Sequence, residues 1–166
     1  MITTPSQHAA LIASALADVI RSGARQHPDR GALERIAELL DTVVIAFVDA
    51  EPDADAVAAP ADAVLALQDA EILASRSPGA GLPLGFTAAV LAPVTGQAPE
   101  LPVPVGAASP QLAEQDARLR ARLALVEEWL LDTQHPDMVP AYASMSLTLR
   151  TKLAHIAAAV AVGSRA

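Results

Sequence analysis

Between Leu33 and Phe47 apolar residues recur at spacings of three and four: Leu33, Ile36, Leu40, Val43 and Phe47 form one stripe along a helix. Ile45 and Val48 fall off that stripe, so the second half of this helix is apolar on most sides. The expectation is a central member of a helical bundle. Ahead of it, Leu11, Ile12, Leu16, Val19 and Ile20 give a first helix its apolar face. Thr4 and Gln7 fit a capping box, Pro5 takes the first helical position, where a missing N–H costs nothing, and Gly23 marks the end. The turn Gln26-His27-Pro28-Asp29 leads into the central helix, which is expected to reach Ala50.

A third helix, from Pro60 to Ser75, carries Val64, Leu65, Leu67 and Ile72. A fourth begins after Ser109-Pro110, again a cap followed by proline, with Leu112, Leu119, Leu123, Val126 and Leu130 as its stripe. Glu114 with Arg118, and Asp116 with Arg120, are i,i+4 pairs assigned to its wet side. The turn Gln134-His135-Pro136-Asp137 precedes a fifth helix, with Tyr142, Met145, Leu149, Leu153, Ile156 and Val160 on one face and Gly163 as its stop.

The stretch between these halves differs in kind. From Ser77 to Pro110, prolines 78, 83, 93, 99, 102, 104 and 110 forbid a continuous helix. Yet Leu82, Leu84, Phe86, Val90, Leu91, Leu101, Val103 and Val105 make the stretch apolar, and Glu100 is its only charge. Such a chain is expected to pack as an ordered arm: a short helix over 86–91, and an extended piece over 100–105 lying across the bundle or on a second subunit. The fold class expected is all-α, a bundle of about five helices (two helical hairpins plus a shorter helix). A long Pro/Gly-rich apolar arm joins the third helix to the fourth. The domain expected is one, 1–166: N-terminal helices to 76, the arm 77–110, and a C-terminal hairpin 111–166.

Composition supports the helical class. The chain is 52% hydrophobic with only two Phe, one Tyr and one Trp, so its apolar mass is Ala, Leu and Val. There is no cysteine, which excludes disulfides, thiolate metal sites and a Cys nucleophile and fits a cytoplasmic setting. The first residues lack the basic and apolar regions of a signal peptide, and no apolar run is long enough to span a bilayer. A net charge of -8 argues against a nucleic-acid partner. Most of that charge sits in one cation-free window: Asp49, Glu51, Asp53, Asp55, Asp62, Asp69 and Glu71. The Ala-, Arg- and Pro-biased usage fits a GC-rich bacterial source.

Candidate chemistry is sparse. His27-Pro28-Asp29, with Arg21 and Arg25 before it, resembles the His-Pro-Asp of J-domain co-chaperones, where it lies between two antiparallel helices. The resemblance covers three residues, and the aromatic-bearing helix that opens a J-domain has no counterpart here. Leu149-Arg150-Thr151-Lys152-Leu153 is similar to the Leu-Arg-Thr-Pro-Leu of histidine-kinase dimerisation helices. The phosphorylated histidine of that family corresponds to Leu147 here, so the acceptor is missing. The acids from Asp49 to Asp55 alternate as in a calcium loop but lack its glycine and closing glutamate. No Glu is followed three residues later by His, so a di-iron bundle is not encoded. Glu127-Glu128 reads as an exposed acid pair at a helix end, and His155 as a residue of the polar face.

The reading that follows is a small acidic helical interaction protein (adaptor, accessory subunit or regulator), as a homodimer or with another protein, with no metal, cofactor or catalytic set. Leu101, Val103 and Val105 of the arm are its candidate interface. The alternative is a small-molecule binder whose pocket, lined by Phe86, Trp129, Tyr142 and Met145, is closed by the arm.

Overall fold

The computed structural model describes residues 4–49, 59–77, 87–95, 109–132 and 134–163. All regular structure among them is helical: α1 (Pro5–Ala24), α2 (Arg30–Asp49), α3 (Ala61–Arg76), α4 (Ala88–Thr95), α5 (Pro110–Leu130) and α6 (Val139–Gly163), with a 3-10 turn over Pro136–Met138. Phe86, Leu101, Val103 and Val105 lie outside the described residues.

Local chemistry sets the helix ends. The Thr4 hydroxyl accepts from the Gln7 N–H at 3.2 Å and the Gln7 amide oxygen accepts from the Thr4 N–H at 3.1 Å, closing the capping box. Ser109 caps α5 in the same way, accepting from the Leu112 N–H at 3.2 Å. In the turn before α2, His27 Nδ1 accepts from the Asp29 N–H at 3.0 Å. Gly23 does not end α1, which continues to Ala24.

The helix at the centre is α1, not α2. α1 packs against α2, α4 and α6, whereas α2 packs chiefly against α1 and α3. Ile45 and Val48, expected inside, are 60% and 54% exposed, while the stripe from Leu33 to Phe47 is buried as its spacing predicts. The reason is size. Ala9, Ala13 and Ala17 are fully buried along α1, and side chains this small let neighbouring helices approach from several directions. Arg21 of α1 pairs with Asp41 of α2. The hydrogen bond to Asp41 holds the guanidinium above its ordinary pKa range, with the charges of Asp41, Asp18 and Glu38 adding to it. Both partners are well exposed, so the pair adds little stability.

Part of the expected arm is helical and packs within the chain. α4, displaced from the predicted 86–91, lies against α1 with Ala89 and Val90 in the core, and tolerates Pro93. Thr87 anchors its start to α3: its hydroxyl donates to Glu71 Oε1 at 2.5 Å and its N–H to the same oxygen at 3.2 Å.

Two apolar clusters result. The larger joins α1, α2, α3 and α4 to Leu130 of α5 and to Val139, Ala143 and Leu147 of α6. The smaller is drawn from α5 and α6 alone: Leu119, Leu123, Val126, Leu149, Leu153, Ile156 and Val160. The α5–α6 hairpin is thus rooted in the bundle at its turn and carries a core of its own further out.

Candidate interaction surface

The hairpin is held where the two clusters meet by a set of buried polar side chains. Glu127, Ser146 and Arg150 are each less than 5% exposed. Glu127 Oε1 accepts from the Ser146 hydroxyl at 2.7 Å and from Arg150 Nε at 3.0 Å. Arg150 Nη2 lies 3.0 Å from the same oxygen but off line, so it has no acceptor in hydrogen-bonding geometry. The sequence reading of Glu127 as an exposed acid is therefore corrected. Its position continues the buried ridge Leu123, Glu127, Leu130, and a carboxylate there is tolerable because a guanidinium and a hydroxyl meet it. This cluster braces two helices, Glu127 of α5 against Ser146 and Arg150 of α6.

The same correction applies to Met145. The core-facing stripe of α6 passes through Ser146 instead, running from half-buried Tyr142 to buried Ser146, Leu149, Leu153, Ile156 and Val160 at spacings of four and three. Met145 is turned outward. Met145, Trp129 and Leu125 each keep between 41% and 45% of their area exposed. Trp129 and Tyr142 meet across the hairpin, ring centroids 5.5 Å apart and planes inclined at 37°, a favourable tilted contact. Three of the four residues assigned to a pocket wall therefore stand on one hairpin. Trp129 and Met145 form outer surface there, and Phe86 lies outside the described residues.

Two grooves lie on the other side of the sequence. Between α3 and α4, Val64, Leu67, Ile72 and Leu91 flank the Glu71–Thr87 contact. Between α2 and α3, a groove is lined by Leu39, Ala46 and Ala66, by the exposed Ile45 and Leu65, and by Asp49, Asp62 and Asp69.

The histidines do not assemble chemistry. His8, which stands in no motif, is fully buried, and its Nε2–H donates to the Leu130 carbonyl at 2.5 Å. It thereby satisfies one of the carbonyls that the end of α5 leaves without a helical partner. His27 is held in its turn, while His135 and His155 are exposed. Among the described residues no group of three His, Asp or Glu side chains converges as a metal site, and no helix is long and apolar enough to cross a membrane. Both i,i+4 pairs of α5 form, Arg118 on Glu114 at 2.5 Å and Arg120 on Asp116 at 2.6 Å, but only the first lies on the wet side as expected; the Arg120–Asp116 side chains are only 16% and 19% exposed. No protein-family model, curated protein or solved structure matches the chain.

Proposed function

We propose that this chain is a helical interaction module, an adaptor, accessory subunit or regulator, that works in the cytoplasm through protein–protein contacts and associates with itself. The observation that carries the reading is the set of large apolar side chains that the hairpin leaves exposed, Leu125, Trp129 and Met145, with Trp129 held in a tilted contact on half-buried Tyr142, all on paired helices rather than on a loop. Aromatic residues and methionine are enriched in interface cores, and a face pre-organised by helix packing loses little entropy on docking. The buried Glu127–Arg150 pair supports this by fixing the two helices that carry the face. The net charge of -8 favours protein over nucleic acid as partner.

The test is photo-crosslinking from a photoreactive methionine analogue at Met145, in cells that make the protein, alongside the hydrodynamic mass of the purified chain. A discrete adduct lost in Trp129→Asp, with a mass above the single-chain 17.1 kDa, is the expected result. A chain that stays single at every concentration and gives no adduct would overturn the proposal.

A further inference from the structure

We infer that copies of this chain join head to tail, the exposed face of α5 that carries Arg118, Arg122 and Leu125 on one copy meeting the α2–α3 groove of the next. The inference rests on the interaction reading above and deepens it by naming the partner and the geometry.

The groove is lined by both apolar and acidic side chains. Ile45 and Leu65 are both more than half exposed, large side chains that a completed surface would cover. Asp49, Asp62 and Asp69 line the same groove, and among the described residues no Lys or Arg forms an ion pair with any of them. An occupant that fits is a helix with apolar residues to meet Ile45 and Leu65 and cations to meet the three aspartates.

The chain carries such a helix. Arg118, Arg122, Leu125 and Trp129 follow one another on α5 at spacings of four, three and four, so they form one stripe. All four are exposed. Arg122 has no ion pair among the described residues, and Arg118 holds only the exposed Glu114, a contact weak enough to exchange. Exposed Ala121 beside the stripe permits close approach.

Charge also selects the symmetry. Groove on groove, as in a two-fold dimer, would set the three carboxylates against their own copies, and ridge on ridge would oppose the arginines. Like-charge juxtaposition of this kind is strongly unfavourable. Ridge in groove joins opposite signs, and because the two surfaces differ, each added copy leaves one of each free. The product is a ring or an open chain rather than a closed pair.

The experiment is sedimentation velocity of the full chain over a wide concentration range, with two exposed charges reversed singly and together. Wild type is expected to pass beyond two chains as concentration rises. Asp69→Lys and Arg122→Glu are each expected to weaken association by about tenfold or more, and the double variant to recover it. Far-UV circular dichroism checks that each variant keeps its helices.

A wild type that associates but ignores both reversals overturns the head-to-tail geometry and leaves the interaction reading standing. A wild type that never associates while a synthetic Leu/Lys amphipathic peptide binds it, with Asp69→Lys abolishing that binding, assigns the groove to another protein's basic helix and overturns the inference. Absence of both self-association and peptide binding, with no crosslink from position 145, removes the inference and the proposed function together.

Discussion

Glu127 and Arg150 are the charged side chains that this fold takes out of water among the described residues, and their fates are coupled. Removing one partner leaves the other charged, buried and unmatched, which is far worse than removing both. Arg150→Met is expected to lower unfolding free energy by about 3–5 kcal/mol, whereas Glu127→Leu with Arg150→Met should come close to wild type. Urea denaturation of the two single variants and the double one measures this as a coupling energy; additive losses would show that the pair does not act as a unit. Nothing in the pattern of the sequence announces this pair. Polar residues on an amphipathic helix are assigned outward by default, and Glu127, Ser146 and Arg150 lie nineteen and twenty-three residues apart across a turn. His8 escapes for the same reason, since its partner is a backbone carbonyl 122 positions away. Trp129 and Tyr142 stand out in the sequence because large aromatics are rare in this chain, but neither their mutual contact nor the exposure of Trp129 is written in the spacing.

At the scale of the helix, the readable features were the local ones. The capping box at Thr4, the Ser109 cap and both salt-bridged pairs on α5 depend on residues three or four apart, and each forms as its spacing predicts. Which helix is central depends on contacts between distant segments, and there bulk misled. Ile45 and Val48 made α2 look surrounded, while α1 hid its burial behind alanines that score as only weakly apolar. The correction has a measurable form. Ala13→Leu should overpack the junction of α1 with its neighbours and cost about 1–3 kcal/mol. For a chain of this size that is a fall of about 2–12 °C in Tm. Ile45→Ser, at an apolar position that α2 leaves open, should stay within about 0.5 kcal/mol of wild type under dilute conditions. Thermal unfolding of both variants decides the matter: an α2-centred bundle would reverse their order.

Across the whole molecule, burial is unevenly shared, and stability should follow it. The core that surrounds α1 is assembled from every described α-helix except α5's outer turns, while the outer core of the hairpin is supplied by α5 and α6 alone. Two helices bury one stripe each and leave the remaining faces wet, so their backbone hydrogen bonds open at lower free energy than those of a helix enclosed on several sides. Amide hydrogen exchange at low protein concentration is therefore expected to be slowest over residues 9–20 of α1 and at least about tenfold faster over 112–122 of α5. The head-to-tail contact adds a second expectation. Raising the concentration should slow exchange over 115–129 of α5 and around Ile45 and Leu65 together, because each junction covers one of each surface, while the centre of α1 stays as it was. Protection that grows on α5 alone would mean that the ridge meets itself. Equal protection of α1 and the outer hairpin in dilute solution would mean that the hairpin is supported by more of the chain than α6.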